Sequence, residues 1–347
     1  MQQRIHPQIA SRLISILMEP DRKSPLIHPS TWNLFKEGRR TPGYSLFDWL
    51  HGYVYGRWPY LYIGFGIGKH PLAQVFGRLV SLLSWLLPRQ DGSQASRDTR
   101  VGLAADFPCR DPQEVTFADT YHGKVVPLAA ARQLVTVNQE IRLTDLEQVI
   151  PYTRARDIVL KNPDHLIALE CPCRSARPDP CLPLDVCLIV GEPFASFVYE
   201  HHPRRSRWIS PNEAMAILQA EDERGHVHHA FFKDAMLGRF YAICNCCSCC
   251  CGAMQAHQHG TPMLASSGYS SQVDEHLCIG CGTCAETCQF GAIALVDGLA
   301  EIDASFCMGC GVCISKCSEG ALELVRDASK GAPLEIQELM KASANLF

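Results

Sequence analysis

One cysteine pattern occurs twice near the end of the chain, in residues 278–288 and again in residues 307–317. The first copy reads Cys278-Ile-Gly-Cys281-Gly-Thr-Cys284-Ala-Glu-Thr-Cys288, and the second reads Cys307-Met-Gly-Cys310-Gly-Val-Cys313-Ile-Ser-Lys-Cys317. Both copies have the spacing C-x2-C-x2-C-x3-C, and a matching apolar segment follows each of them, GAIAL and then GALEL. The two copies can be laid over each other without a gap, so the pattern is an internal repeat.

The spacing within each copy has a physical reason. Three thiolates separated by two residues can wrap a tight loop around one iron–sulfur cube, whereas the fourth cysteine is carried away on a helical turn to the other cube. This predicts two [4Fe–4S] clusters with crossed ligands: Cys278, Cys281, Cys284 and Cys317 for one, and Cys307, Cys310, Cys313 and Cys288 for the other. Zinc sites usually use two C-x2-C pairs separated by a longer loop, which this pattern does not match.

The doubled motif closely resembles the bacterial 2[4Fe–4S] ferredoxin family, over residues 274–326. The resemblance implies a small βαββαβ unit whose two clusters are near enough for fast electron transfer, often at low potential. The sequence departs from the family at one place, because the family's fourth cysteine is usually followed by proline and here Gln289 and Ser318 stand there. Proline is not a ligand, so we expect the departure to affect local rigidity and potential and not cluster binding.

A second concentration of cysteines precedes the repeat. Its ten members are Cys171, Cys173, Cys181, Cys187, Cys244, Cys246, Cys247, Cys249, Cys250 and Cys251. Neighbouring residues point in different directions, so the six cysteines of residues 244–251 cannot all pack on one face as small hydrophobic side chains. Binding metal is the simplest way to hold such thiols in a folded protein. We therefore predict one or two further iron–sulfur clusters between residues 101 and 251, with a structural zinc site as the alternative.

Two other features of this region bear on the same prediction. Arg174 and Arg177 flank the first cysteine pair and would favour thiolate or bound sulfide, although a surface role that only satisfies charge fits them equally well. The segment from Trp208 to Cys251 is similar to a region of poorly characterised ferredoxin-bearing proteins of anaerobes. This resemblance implies an iron–sulfur module and names no substrate.

The overall composition limits the remaining classes of function. The chain has 347 residues, of which 47% are hydrophobic and 20% charged, as is ordinary for a globular protein with more than one domain. A net charge of −4 gives no basic excess, so we expect no nucleic-acid partner. The first residues contain no apolar run typical of an export signal, and 19 cysteines in a long chain indicate metal ligands in a reducing cytoplasm. We expect a cytoplasmic protein that a partner can bring to a membrane.

The chain as a whole is predicted to be an α+β, multidomain protein. Its predicted parts are an aromatic-rich N-terminal region (1–90), a cysteine-rich α+β domain (101–251), a linker (252–273), the ferredoxin-like module (274–326) and a C-terminal tail (327–347). Residues 72–87 have helical periodicity but give only about 24 Å of helix, too short for a membrane span. We interpret them as a buried helix, or else as a surface helix that makes peripheral membrane contact.

Local patterns in the middle domain predict several elements. Short strands are predicted at Val115–Phe117, Gln133–Val137 and His165–Leu169. A helix is predicted at Thr144–Leu160. A further helix is predicted to begin after Ser210, because serine caps helices and Pro211 suits the first helical position, and to run to about Glu223.

These observations favour an iron–sulfur electron-transfer protein, either a carrier or a subunit of an oxidoreductase complex. Its redox partner is expected to be a flavin- or nicotinamide-dependent oxidoreductase, because one-electron clusters need a two-electron converter and none is evident in this sequence. Two alternatives stay open. In one, a cluster in the 171–251 region binds a substrate and is fed by the ferredoxin module, which makes the protein a reductase. In the other, the protein is a redox or iron sensor.

Overall fold

The computed structural model describes residues 27–66, 117–144 and 146–344. The predicted helix at 72–87, the isolated Cys109 and most of the predicted strand at Val115–Phe117 lie outside these ranges. Helices and strands are mixed along the chain, as predicted for an α+β protein. Among the described residues, no helix combines the length and the apolar character needed to cross a membrane.

An eight-stranded sheet forms the centre of the molecule. Its strands are β1 (Tyr121–Val126), β2 (Ile141–Leu143), β3 (Ile158–Leu169), β4 (Cys187–Glu192), β5 (Ser206–Ile209), β6 (Val227–Lys233), β7 (Arg239–Cys246) and β8 (Leu264–Ala265). The strand order is β2-β3-β4-β7-β6-β1-β8, with β5 also paired to β3. Neighbouring strands are antiparallel except for β1 and β8. All of β6 is buried, so elements cover both faces of the sheet there.

Among the described residues up to Gln258, nine helices surround the sheet. They are α1 (Pro29–Arg40), α2 (Leu46–Arg57), α3 (Pro59–Gly66), α4 (Phe117–Thr120), α5 (Leu128–Val135), α6 (Pro172–Ser175), α7 (Phe194–His201), α8 (Pro211–Glu223) and α9 (Gly252–Gln258). The prediction for α8 is confirmed, because the Ser210 hydroxyl accepts a hydrogen bond from the Glu213 N–H at 3.2 Å. Gly225, just beyond the helix, has a φ of +81°, which glycine adopts without strain.

The aromatic-rich N-terminal helices pack directly on the sheet. The Tyr44 hydroxyl donates to the Ala235 carbonyl at 2.7 Å, and the Tyr55 and Tyr241 hydroxyls are 2.7 Å apart. The hydroxyl of Tyr60 donates to the carbonyl of Glu170, immediately before the first cysteine of the middle domain, at 2.9 Å. The N-terminal region therefore lies against the end of β3, where the cysteines of the middle domain begin.

Two of the local predictions are wrong, one is confirmed, and the described end of a fourth is also wrong. Residues 133–135 belong to α5, because Ala131, Leu134 and Val135 are buried at helical spacing against the sheet. The predicted helix at 144–160 is absent: Pro151 interrupts it, and from Ile158 the chain is the start of β3. The predicted strand His165–Leu169 is confirmed as the second half of β3. Phe117, predicted to end a strand, begins α4.

The C-terminal part contains a strand, a helix, two strands, a helix and a strand in that order. These are β9 (Tyr269–Val273), α10 (Thr283–Thr287), β10 (Ile293–Val296), β11 (Leu299–Ile302), α11 (Val312–Lys316) and β12 (Leu322–Arg326). β9 pairs with β12 and β10 pairs with β11, both antiparallel. The segment 252–273, which we predicted to be a linker, contains α9, β8 and β9, and β8 extends the large sheet.

The chain beyond β12 returns to the large sheet. It forms a short 3-10 helix (Ala328–Lys330) and then α12 (Ile336–Ala344). Leu334 and Ile336 are fully buried in the main core, and the Lys124 ammonium group of β1 donates to the Ala332 carbonyl at 2.9 Å. The described residues of the predicted tail therefore help to hold the C-terminal elements against the middle domain.

Candidate metal centres

Four cysteines of the doubled motif surround one small cavity at the outer end of the C-terminal elements. Cys278, Cys281, Cys284 and Cys317 all line this cavity, whose volume is about 20 Å³. They are the four that the spacing assigned to one cluster, with three from the first copy and one from the second. We call them the outer group. Cys281 is exposed, so this group reaches the protein surface.

The other four cysteines of the motif lie on the side that faces the large sheet. Cys310 and Cys313 both lie near Cys288 and Cys307, and Cys313 is also near Cys284 of the outer group. Cys310 also packs against the main hydrophobic core, and burial raises the pKa of its thiol. We call these four residues the inner group. The donor sets of both groups, four thiols each with sulfur as the only ligand atom, fit [4Fe–4S] clusters.

Backbone geometry around the two groups repeats as the sequence does. The Ala292 N–H donates to the Cys288 sulfur at 3.3 Å, and the Ala321 N–H donates to the Cys317 sulfur at the same distance. Such donors stabilise thiolate sulfur and, when a cluster is bound, tune its potential. Gly309 has a φ of +64°, and a Cβ atom there would lie 2.1 Å from the Tyr269 carbonyl oxygen. This close approach explains why glycine stands between the cysteines.

Four of the ten middle-domain cysteines form a compact group. The sulfur atoms of Cys181, Cys247, Cys249 and Cys250 all lie within 4.8 Å of one another. Three of them come from the turn that follows β7, and Cys181 comes from the loop between α6 and β4. Cys249 is exposed, whereas Cys247 and Cys250 are buried. We call these residues the four-thiol group.

The pKa values in this group reflect both burial and thiol contacts. Burial raises the pKa of Cys181 to about 11. Burial also acts to raise the pKa of Cys249, but hydrogen bonds from Cys181, Cys247 and Cys250 outweigh it and lower the pKa. The lowered pKa favours the thiolate of Cys249, the form that binds metal.

The other six cysteines form a second assembly deeper in the molecule. Its members are Cys171, Cys173, Cys187, Cys244, Cys246 and Cys251, and all six line a cavity of about 200 Å³. Contact with the Cys173 thiol, together with burial, raises the pKa of Cys171 to about 12. We call these residues the six-thiol group. Cys247 and Cys250 of the four-thiol group line the same cavity from its edge.

Two arginines hold the loops that carry these cysteines. Arg174 is 1% exposed and donates to the Glu221 carboxylate at 2.5 Å and to the Asn245 carbonyl at 3.0 Å, between Cys244 and Cys246. Arg177 donates twice to the Cys250 carbonyl, at 3.1 and 2.8 Å. Arg174 is too deeply buried for the surface role that the sequence left open. Both arginines instead fix the backbone of a cysteine loop through these hydrogen bonds.

The inner group and the four-thiol group are joined by one glutamine side chain. The Gln289 side-chain oxygen accepts hydrogen bonds from the Ser248 N–H and hydroxyl, each at 2.9 Å, and its amide donates to the Gly225 carbonyl at 3.0 Å. Gln289 directly follows Cys288, and Ser248 lies between Cys247 and Cys249. Sequence reasoning marked Gln289 as unusual for its family but had no means of finding its partner on the middle domain.

Sequence reasoning also missed the aromatic wall of the large cavity. Tyr55, Tyr121 and Tyr241 line it beside the thiols, and burial raises the pKa of each of these phenols. Behind them the Lys233 ammonium group lies 4.8 Å from the ring centres of Tyr55 and of Tyr121. The aromatic residues were evident in the sequence, but their separation along the chain concealed that they meet.

The first copy of the cysteine pattern is matched by a known protein family. Residues 271–294 match the family model of a 4Fe-4S binding domain, Fer4. No curated protein matches the chain at a significant level. The matched segment includes Cys278, Cys281, Cys284 and Cys288. Together with the four-thiol group, the match indicates an iron–sulfur, metal-binding protein with at least one [4Fe–4S] cluster.

Proposed function

We propose that the protein transfers electrons, as a carrier or as a subunit of an oxidoreductase complex, using two ferredoxin-type [4Fe–4S] clusters and a third cluster in the middle domain. The observation that carries the proposal is the four-thiol group, whose sulfur atoms lie within 4.8 Å of one another. Ser248, in the middle of this group, is hydrogen-bonded to Gln289, the residue next to Cys288. When bound, iron–sulfur clusters accept and release single electrons. The protein's part is to hold them, to set their surroundings and to keep them close together.

A two-cluster ferredoxin module is supported by three observations on residues 269–326. The elements follow the order strand, helix, strand, strand, helix, strand. The outer and inner groups each combine three cysteines of one copy with one of the other. Matching N–H donors reach the sulfurs of Cys288 and Cys317. These are the features expected of the βαββαβ unit and of the crossed ligand sets, which we propose for this module.

The arrangement of the groups supports a direction for electron flow. The outer group is at the surface, and the inner group faces the middle domain, where Gln289 and Ser248 connect Cys288 to the four-thiol group. A partner would therefore exchange electrons at the outer group. Leu277 and Ile279, which flank Cys278, are 48% and 67% exposed, and they offer apolar contact to such a partner. We propose a flavin- or nicotinamide-dependent oxidoreductase in this role.

The four-thiol group favours a carrier over a substrate-binding site. Four thiolates complete the ligation of a four-iron cluster, so no iron is left open for substrate. The reductase alternative is supported by a different observation, the cavity of about 200 Å³ that is lined by thiols and tyrosines. We retain it as the second candidate function, with the cavity as the place where a small substrate would bind.

A reductive titration monitored by EPR tests the proposal. It is carried out on the anaerobically purified full-length protein and, in parallel, on the variant Cys181→Ser/Cys249→Ser. We expect the variant to lose about four irons and one reducible centre, while the ferredoxin signals stay. Unchanged iron in the variant would contradict a cluster at the four-thiol group. A wild-type protein whose centres are not reversibly reduced would contradict electron transfer altogether.

A further inference from the structure

Six of the ten middle-domain cysteines are left over when the four-thiol group is complete, and they converge from four places in the chain. Cys244 and Cys246 alternate on β7, so their side chains project from the same face of the sheet. Cys187 of β4 lies directly opposite Cys244, with the two sulfur atoms 3.8 Å apart. Cys171 and Cys173 come from the turn after β3, and Cys251 starts α9.

The thiols of this group contact one another in a continuous series. Cys171 interacts with Cys173 and Cys187, and Cys251 interacts with Cys173 and Cys246. The ends of the series also come together, because Cys246 interacts electrostatically with Cys244. All six cysteines line one cavity of about 200 Å³, which they share with tyrosines and other apolar residues.

The surroundings cannot neutralise several thiolates without metal. Cys171, Cys187, Cys246 and Cys251 are all buried. Among the described residues that line the cavity, Arg174 is the one permanently charged side chain, and it is already paired with Glu221. Buried anions need a counter-charge, which iron in a cluster supplies.

Two simpler explanations fit the geometry less well. Disulfides join thiols in pairs, but Cys171, Cys173 and Cys187 each interact with two other thiols. Six cysteines packed only as small hydrophobic side chains would close up on one another and would leave no cavity between them. The thiols instead border a cavity of about 200 Å³ that has room for a compact ligand.

We propose that Cys171, Cys173, Cys187, Cys244, Cys246 and Cys251 hold an iron–sulfur centre of their own, separate from the one at the four-thiol group. This site goes beyond the proposed function, which requires only the four-thiol group and the ferredoxin module. The two middle-domain centres are directly connected along the chain. Cys246 of the six-thiol group is next to Cys247 of the four-thiol group, and Cys251 of the six-thiol group is next to Cys250 of the four-thiol group. The six-thiol centre lies deeper, so electrons reach it after the four-thiol centre.

The test is the iron, acid-labile sulfide and zinc content of full-length protein purified anaerobically, for the wild type and for Cys181→Ser/Cys249→Ser. Those two substitutions lie in the less buried part of the four-thiol group and leave all six deeper cysteines intact. We expect the variant to retain about twelve irons or more, eight in the ferredoxin module and at least four in the six-thiol group. Retention of only about eight irons, or zinc in their place, would overturn the inference.

A second variant, Cys171→Ser/Cys187→Ser, gives the reciprocal result. It is expected to lose at least about four irons while the ferredoxin signals in the EPR spectrum persist, which also shows that the chain has folded. Unchanged iron in this variant would overturn the inference. The two proposals fail separately: if Cys181→Ser/Cys249→Ser loses no iron but Cys171→Ser/Cys187→Ser does, the six-thiol centre stands and the four-thiol cluster does not.

Discussion

The side-chain oxygen of Gln289 accepts two hydrogen bonds from Ser248, one from its backbone N–H and one from its hydroxyl, both at 2.9 Å. Each residue is directly next to a cysteine of a candidate metal centre, Cys288 on one side and Cys247 and Cys249 on the other. The family that the C-terminal motif resembles usually has proline at the position of Gln289. The substitution of a hydrogen-bonding side chain for that proline therefore attaches the ferredoxin module to the middle domain at the point where their centres approach.

Replacing Gln289 by proline is predicted to loosen this attachment and to leave the clusters in place. Two hydrogen bonds to Ser248 are lost, each worth about 1 kcal/mol. Hydrogen–deuterium exchange of the peptide that contains residues 247–251 is expected to accelerate roughly tenfold. Magnetic interaction between the inner cluster and the middle-domain centre should weaken in the EPR spectrum of the reduced protein.

Ser318→Pro is the matched control for this change. Ser318 occupies the equivalent position of the second copy, is exposed, and bonds only to the neighbouring Glu319 among the contacts described for its side chain. Its variant should exchange like the wild type at residues 247–251. If both variants accelerate exchange there equally, the Gln289–Ser248 contact does not attach the two parts.

Gly309→Ala is predicted to expel the inner cluster. A Cβ atom would lie 2.1 Å from the Tyr269 carbonyl oxygen and 2.3 Å from the Ser267 hydroxyl, so the cysteine loop has to move. Gly320→Ala is the control, since Gly320 has the same φ of +64° but nothing within 4 Å of the added carbon. The control should lose only about 1–2 kcal/mol of stability. Iron analysis checks the pair: we expect a loss of about four irons in Gly309→Ala alone, and equal iron in both would show that the close approach is unimportant.

Arg174→Met is predicted to destabilise the middle domain by about 3–5 kcal/mol, because it leaves the buried Glu221 carboxylate without its closest partner. Burial acts to raise the pKa of Glu221, but hydrogen bonds from His226 and Arg174 hold it below its usual range. Arg177→Met, which removes only contacts with the Cys250 carbonyl and the Gln255 side chain, should cost about 1–2 kcal/mol. Thermal unfolding followed by circular dichroism measures both, and a larger effect at Arg177 would contradict our ranking.

Acid is predicted to destabilise the protein partly through His122, a buried residue of β1 that is distant in sequence from every candidate cysteine ligand. Burial lowers the pKa of His122 from 6.5 to about 4. Between these values the unfolded chain binds a proton that the folded protein does not, so this contribution to stability is complete above pH 6.5 and is lost as the pH falls towards 4. At pH 5 the loss is about 2 kcal/mol.

The variant His122→Phe separates this effect from metal release, which acid also promotes. Phenylalanine keeps the ring that stacks on Tyr152, with 3.8 Å between ring centres, but cannot be protonated. The unfolding rate of the wild type, divided by that of the variant, should therefore increase as the pH is lowered from 7.5 to 5. A ratio that does not change with pH would show that His122 plays no part.

The doubled motif was readable from the sequence because each copy is contiguous and its spacing has one physical explanation. The grouping of the middle-domain cysteines was not readable from the sequence, because it depends on the sheet. Cys187 and Cys244 meet only because β4 and β7 are neighbouring strands. Spacing even misleads there, because the adjacent residues Cys246 and Cys247 belong to different groups. A cysteine-rich metal site could be predicted, but its division into four and six thiols could not.

The same contrast holds for the fold. The α8 helix was predictable because Ser210 and Pro211 determine its start locally. The apolar residues of 144–160 suggested a helix, but Ile158 and Leu160 are buried through pairing of β3 with β2, which is a nonlocal contact. Likewise, residues 252–273 are small and polar and were interpreted as a linker, yet β8 within them pairs with β1 and β9 pairs with β12.

We propose above that the middle domain carries iron–sulfur centres that exchange electrons with the ferredoxin module. The decisive measurement is the iron and acid-labile sulfide content per chain of anaerobically purified wild-type protein, together with the EPR spectrum of its reduced state. We predict about twelve irons from the ferredoxin module and the four-thiol group, and about sixteen when the six-thiol group also holds a centre. We also predict no zinc and magnetic interaction among more than two reduced centres. About eight irons, with zinc or free thiols in the middle domain, would contradict the account and would confine the redox chemistry to residues 269–326.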